Sequence, residues 1–206
     1  MEWLDIPEGH KHPIESVTES DTFWHGDEGY KRRYAAPFVD RGKDDRYVSE
    51  ILSEFPDDSS LLVVGAGHSF HCNKFNECSN LSRITALDLY EEAGQGLDSD
   101  ISFIQGDLMV DEIPTVDYIF SSHTVEHFTR DIIMNVVLPK CIYHARKAVV
   151  FVVPYGSIAW ADEREHKVRL TENDELAAKA EKYKRLLPEG QELVLWFKGQ
   201  GRGQQG

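Results

Sequence analysis

From Leu61 onward the chain alternates between short apolar runs and helical stretches, and few folds accommodate that alternation. The runs Leu61 to Val64, Ile84 to Leu87, Ile101 to Ile104, Val116 to Phe120 and Ala148 to Val153 are too short for helices. They are also too continuously apolar for strands with one wet face. Such runs read as strands buried on both faces, which a parallel sheet covered by helices provides. Helical candidates separate them, the clearest being Arg130 to Ala145. The pattern predicts an α/β domain with a doubly wound, mostly parallel sheet and helices on both faces.

The flanking segments read differently. Pro7, Gly9, Pro13, Gly26, Gly29 and Pro37 interrupt the first forty residues too often for long regular elements. Asp44 to Phe55 carries Tyr47, Val48, Ile51, Leu52 and Phe55 at helical spacing, and Pro56-Asp57-Asp58 ends the helix. After the fifth run, the composition predicts a helix over Glu172 to Leu187 and a last strand over Glu192 to Lys198. Gly199 to Gly206 reads as a disordered tail. The expected organisation is an irregular cap over 1–45, one domain over 46–198 and a tail over 199–206, since 206 residues suit a single domain.

Charge and cysteine content exclude several functions. Asp and Glu number 36 against 22 Lys and Arg, a formal net charge of −14, which opposes unaided binding to a phosphate backbone. The small basic clusters Lys31-Arg32-Arg33 and Lys182 to Arg185 read as solvated faces, so no nucleic-acid partner is expected. Three cysteines make no disulfide framework, and His71-Cys72 with Cys78 matches no common zinc spacing, so no metal is expected. The start Met1-Glu2-Trp3-Leu4-Asp5 has neither the basic nor the apolar region of a secretory signal. With no apolar run near the roughly 18 residues of a membrane span, the expectation is a cytoplasmic protein without a membrane partner.

The chemistry-bearing residues fall where the strands end, the edge at which open α/β sheets bind ligands. The first strand runs into Gly65-Ala66-Gly67-His68-Ser69, and glycines there permit a tight turn and close approach of backbone to a ligand. The second ends in Asp88-Leu89, some twenty residues on, where an acid can bind both ribose hydroxyls. The third ends in Gln105-Gly106-Asp107-Leu108, where a carboxylate can accept from an adenine amino group while Leu108 packs on the ring. The fourth ends in Ser121-Ser122-His123-Thr124, followed by Val125-Glu126-His127-Phe128.

This train resembles the class I S-adenosylmethionine-dependent methyltransferases over Leu61 to Pro154, about half the chain, and most specifically over Val116 to Phe128, which is similar to the fourth motif of the small-molecule branch. The resemblance implies a Rossmann-like fold and S-adenosylmethionine as cofactor. It places Gly65, Ala66 and Gly67 beneath the methionine part, Asp88 at the ribose and Asp107 with Leu108 at the adenine, with His68, Leu89 and Gly106 also in the cofactor site. Ser121, Ser122 and His123 would border the sulfonium and a small-molecule acceptor. His166, Arg169 and Thr171, in Glu165 to Thr171, resemble a segment that faces the acceptor in several such enzymes. His123, with His166 second, is the expected general base for an O- or N-acceptor that must lose a proton. Tyr30, Arg33 and Tyr34 can be read as a lid or as packing on the core.

The sequence departs from the family at two positions: Val63 stands where an acid is usual, and Ser69 replaces the third glycine. The region after Pro154 is short for the family's last helix and two antiparallel strands, so one strand is expected to be missing, reduced or supplied by a partner subunit, and a homodimer stays open. Bland readings stand beside these. Asp88 can cap a helix, Asp107 can serve a turn, and Glu126 and His127 can serve a helix start. Two other functions also stay open. One is a non-catalytic cofactor-binding or scaffold protein descended from methyltransferases. The other is a nicotinamide-dependent oxidoreductase, disfavoured because Phe70 occupies the position where its fingerprint needs a small residue.

Overall fold

The computed structural model describes residues 45–78, 81–155, 168, 170–186 and 192–201. Helix α1 (Asp45–Leu52) precedes strand β1 (Ser60–Val64), helix α2 (Phe70–Cys78) and strand β2 (Arg83–Asp88). Strands β3 (Ser102–Gln105) and β4 (Val116–Ser122) follow. A helical segment then runs as α3 (Arg130–Ile132), a π-helical turn (Ile133–Val137) and α4 (Leu138–His144), directly into β5 (Ala145–Pro154). Helix α5 (Glu175–Lys179), β6 (Lys182–Leu186) and β7 (Glu192–Lys198) complete the described chain. The seven strands form one sheet in the order β3-β2-β1-β4-β5-β7-β6. Strands β1 to β5 pair in parallel, and β7 runs antiparallel to both β5 and β6. The doubly wound, mostly parallel architecture expected from the apolar runs is the one observed.

Alternation along the central strands builds two cores. Leu62 and Val64 of β1, Val149, Phe151 and Val153 of β5, and Leu193, Leu195 and Phe197 of β7 face one layer, which the π-helical turn, α4 and α5 cover with Ile133, Leu138, Cys141 and Leu176. Leu61, Val63, Tyr118, Phe120, Val150 and Val152 face the other, covered by Val48, Ile51, Phe55 and Phe75 of the α1 and α2 side. In that second layer Phe75 meets Phe120 edge-on at 4.9 Å, and Phe55 stacks on Tyr118 at 4.2 Å. At the base, Asp117 accepts from the Ser60 amide at 2.9 Å and its hydroxyl at 2.8 Å, pinning the start of β1 to β4.

Three expectations are corrected. Strand β3 lies at the sheet edge and is half exposed rather than buried on both faces. The helix read over Glu172 to Leu187 exists only as Glu175–Lys179. Asp174 caps it by accepting from the Leu176 amide at 2.9 Å, and Ala180 leaves the helical region at ψ 141°. Lys182 to Leu186, strong helix formers in isolation, instead pair with β7, because an open strand edge offers a ladder that local propensity cannot match. Lys182 and Lys184 then bond Glu54 and Glu50 of the α1 region at 2.8 and 2.7 Å, leaving a charged edge of the kind that resists sheet-to-sheet association. Both antiparallel strands are therefore present in this chain. Third, Gly199 to Gly201 are placed against the sheet rather than disordered: the Gly199 amide donates to Lys147 O at 2.8 Å and the Gln200 amide to Ile142 O at 3.2 Å. Residues 202–206 and 1–44 lie outside the described residues. No helix among the described residues is long and apolar enough to cross a membrane.

Phe120 is fully buried between the helices and the sheet, whereas Tyr183 on β6 is 54% exposed. Phe120→Ala should cost about 3–5 kcal/mol in urea unfolding, and Tyr183→Ala less than about 0.5 kcal/mol.

Candidate functional site

The strand order reverses between β2 and β4 on either side of β1, so loops leaving β1 and β4 diverge and open a crevice at their carboxyl ends. The turn after β1 fills its floor. Gly65 and Gly67 adopt φ values of +70° and +55°, and Ser69 takes +65°, a left-handed conformation that costs a non-glycine residue roughly 1–3 kcal/mol. The serine is held there: its hydroxyl donates to Ala93 O at 2.6 Å, and its carbonyl accepts from the Asn73 amide at 3.0 Å. Ser69 thus preserves the backbone geometry of the glycine it replaces. Gly65 cannot be exchanged in the same way, because a Cβ there would lie 2.1 Å from the Thr124 hydroxyl, which closes over it from the end of β4.

Asp88 ties the crevice together. Only 5% exposed, it accepts from the Gly67 amide at 2.9 Å through Oδ2 and from the Tyr90 amide at 3.0 Å through Oδ1. Its carbonyl accepts from the Gly106 amide at 2.8 Å, and Leu87 O accepts from Gly65 and Ala66. The turns after β1, β2 and β3 therefore form one hydrogen-bonded rim. Beyond Gly106, the Asp107 amide donates to Asp111 Oδ2 at 2.7 Å, Asp107 Oδ1 accepts from the Met109 amide at 2.8 Å, and Leu108 is buried. Leu89 is half buried on the same rim and His68 is exposed, with partial burial holding the His68 imidazole below its ordinary pKa.

The fourth strand contributes the polar wall. Ser121 pairs with Val64 in register, is 1% exposed, and its hydroxyl finds no hydrogen-bond partner among the described residues. Ser122 is also buried. His123 leaves the strand at φ +52°, its amide held by Val152 O at 2.9 Å. Its imidazole lies between two carboxylates: Nε2 is 3.1 Å from Glu192 Oε1 at the start of β7, and Nδ1 is 3.5 Å from Glu126 Oε1. Burial acts to lower the His123 pKa, but the two carboxylate contacts outweigh it and push it up to about 10. Burial likewise acts to raise the Glu126 carboxyl, and His123, with His127 nearby, brings it below the usual range. His71, at the start of α2, is driven the other way: burial, then repulsion from His123, pushes it down to about 3. At neutral pH the wall is a cationic His123 between two anions with a neutral His71 behind it. An imidazolium in that position holds a proton rather than takes one.

The structure brings Gly65, Ala66, Gly67, His68, Asp88, Leu89, Gly106, Asp107, Leu108, Ser121, Ser122 and His123 to one edge of the sheet. His166 and Arg169 lie outside the described residues, as do Tyr30, Arg33 and Tyr34. Thr171 sits in the turn leading to α5, where its hydroxyl and carbonyl accept from Asn173 and Asp174 amides at 3.3 and 3.0 Å. Sequence reasoning missed Glu192, sixty-nine residues from its partner His123. No local signal marks it, since only the antiparallel register that sets Glu192 opposite Pro154 carries it to the crevice. Among the described residues, no group of three metal-ligating side chains stands close enough to hold an ion.

No family model matches the sequence, and no curated protein matches it in sequence. The fold does have solved counterparts. The N-methyltransferase NodS of Bradyrhizobium japonicum WM9, in complex with S-adenosyl-L-homocysteine, aligns with a TM-score of 0.64 at 13% identity over 84% of this chain and 97% of that one. The 1,6-didemethyltoxoflavin-N1-methyltransferase of Burkholderia thailandensis aligns at a TM-score of 0.58 and 18% identity, over 95% and 93% of the two chains. That structure holds bound 1,6-didemethyltoxoflavin and S-adenosylhomocysteine. TehB from Haemophilus influenzae aligns at 0.58 and 13% over 83% and 66%. The chain has the Rossmann-like fold of class I methyltransferases.

Ser69→Gly removes the left-handed strain together with the Ala93 bond, whereas Ser69→Ala keeps the strain and orphans the carbonyl. Thermal unfolding should rank Ser69→Ala as the worse of the two, by about 1–3 kcal/mol. The raised His123 pKa also gives stability a definite pH dependence. Its contribution is full below the ordinary histidine value of 6.5, falls as pH rises, and is gone above about 10. Melting temperatures measured across that window should decline in the wild type and flatten in His123→Gln.

Proposed function

We propose that this protein transfers a methyl group from S-adenosylmethionine to a small-molecule acceptor. The observation that carries the reading is the rim itself: the turns after β1, β2 and β3 are hydrogen-bonded around Asp88 in a fold whose solved counterparts include methyltransferases holding S-adenosylhomocysteine. When bound, the cofactor supplies a methyl already activated by its positively charged sulfur.

The residues present fit such a group. A ligand with a sulfonium and an ammonium suits an edge carrying Asp88, Asp107, Asp111, Glu126 and Glu192. A dinucleotide's pyrophosphate does not, since the Gly67 amide that would cradle it already donates to Asp88. The buried, unpartnered Ser121 hydroxyl is a polar atom that a ligand can satisfy. In this reading Gly65, Ala66, Gly67 and His68 lie along the methionine part. Asp88, whose oxygens accept the Gly67 and Tyr90 amides at the rim, takes the ribose hydroxyls. Gly106, Asp107 and Leu108 hold the adenine, while Leu89 packs at the ribose side. Ser121 and Ser122 border the acceptor. The chain's task is then to align the acceptor and exclude water, because the leaving group needs no further activation. His123, held as a cation, fixes the acceptor wall, and His166 stays the second candidate for proton removal. A small acceptor, with no nucleic acid or membrane engaged, agrees with the acidic surface; a cytoplasmic location and a homodimer belong to the same reading.

Calorimetric titration with S-adenosylmethionine and S-adenosylhomocysteine tests it. Wild-type protein should bind both in the micromolar range, and Asp88→Asn, checked for folding by circular dichroism, should lose at least about tenfold. A folded wild type that binds neither ligand sinks the reading, and nicotinamide cofactors become the next ligands to titrate.

A further inference from the structure

The loop between β2 and β3 is held from outside itself. Its 3₁₀ turn (Glu91–Gly94) and the residues after it are joined by the Ala93 amide to Tyr90 O at 3.2 Å, Gln95 to Glu92 O at 3.2 Å and Leu97 to Gly94 O at 3.4 Å. Bonds of this i→i+3 kind have poorer geometry than those of an α-helix. One face of α2 supplies the stronger grip. Ser69, at the helix start, donates to Ala93 O at 2.6 Å. Asn73 pairs with the loop through both halves of its amide: Nδ2 donates to Gly96 O at 2.7 Å, and Oδ1 accepts from the Asp98 amide at 3.1 Å. Asn76 donates to the Asp98 carboxylate at 3.2 Å. Residues 69, 73 and 76 fall on one side of the helix. On the other side of the loop, a Cβ at Gly94 would lie 2.8 Å from the Phe103 ring of β3.

We propose that Asn73 is a positioning residue for the cofactor: without touching it, the side-chain amide fixes the loop that walls the adenosine end before any ligand arrives. The proposal rests on the methyltransferase reading above and adds to it a residue outside the rim.

Three observations support that role. The first is continuity. Leu89 and Tyr90 lie between two fixed points, the Asp88 carboxylate that takes the Tyr90 amide at 3.0 Å and the Ala93 carbonyl that Ser69 holds. A shift of the loop therefore moves the ribose side of the rim. The second is the placement of α2, which begins directly from the glycine turn. One helix thus carries the turn at the methionine end and grips the loop at the adenosine end, so it sets the spacing between two halves of an extended ligand. Spacing fixed in advance lowers the ordering cost of binding. The third is the chemistry of the amide. It presents donor and acceptor on one planar group, and so meets a main-chain carbonyl and amide as a neighbouring strand would. Ser69 belongs to the same device: its hydroxyl makes a bond to the loop that the family's glycine cannot make.

Calorimetry with S-adenosylhomocysteine and NMR amide exchange, both on the whole protein, test this. In the ligand-free wild type, the Ala93 and Gln95 amides, neither bonded to Asn73, should be protected. Asn73→Ala should speed their exchange at least about tenfold, leave the β1 and β4 amides unchanged, and weaken S-adenosylhomocysteine at least about tenfold. Saturating ligand should restore the lost protection, a recovery that marks prior ordering of the site rather than general stability. Asn73→Asp, equal in size but unable to donate to Gly96, should lose part of the affinity. Glu77→Ala, on the solvent side of the same helix, should bind as the wild type does. Wild-type affinity in Asn73→Ala, or in Asn73→Asp where the alanine variant does not fold, overturns the proposal. Unprotected Ala93 and Gln95 amides in the wild type, or loosening spread evenly over β1 and β4 in the variant, overturn it as well. Failure of the wild type to bind S-adenosylhomocysteine overturns the methyltransferase reading instead, while the ligand-free exchange still decides whether Asn73 holds the loop.

Discussion

A carboxylate at 5% exposure is costly to bury, and the loops around Asp88 are shaped by that cost. Its two oxygens take the Gly67 and Tyr90 amides, which fixes where the glycine turn can lie and how the chain leaves β2. The Asp88 carbonyl takes Gly106, which fixes the turn after β3. Three loops that are remote in sequence thereby share one anchor. The glycine turn follows from this constraint as much as from its own composition: Gly67 reaches the carboxylate only because the turn adopts left-handed values at three positions. Cys72, on the next helix, feels the same charge, and burial together with Asp88 pushes its thiol up to about 12, so it behaves as an inert core residue.

The opposite wall is organised by a second buried acid. Glu126 is buried, and a cation beside it makes its charge more tolerable. That cation is His123, held off the strand by a backbone conformation few histidines adopt. The crevice is therefore bounded by two buried carboxylates solved in different ways, one by backbone amides and one by an ion pair. The first solution is rigid. The second depends on a proton, and so on the local environment.

Much of this was legible in the sequence where local chemistry decides. The apolar runs marked five strands, four of them central and β3 at the edge, and Gly65, Gly67, Asp88, Gly106 and Asp107 stood out at their ends as glycines and acids of the local pattern. Ser69 was readable as a substituted glycine, and the left-handed φ it keeps shows the turn tolerating the exchange through one hydroxyl bond. What the sequence concealed was non-local. Lys182 to Leu186 carries a helical signature that β7 overrides, and Glu192 reaches His123 only through strand pairing. The proton on His123 was hidden in part for the same reason: beside the local Glu126, its second carboxylate, Glu192, comes from another strand.

The sheet order has a bearing on how the molecule is made. Strand β7 is synthesised after β6 yet lies between β6 and β5. While a ribosome is still translating Glu192 to Lys198, the apolar edge of β5 from Ala148 to Val153 has no strand to pair with, and β6 has nowhere to dock. Nascent chains halted in that interval should be the ones that demand a chaperone. Because Glu192 arrives with the same strand, the imidazole clamp closes only when the sheet does, so an incompletely folded chain cannot present a finished acceptor wall.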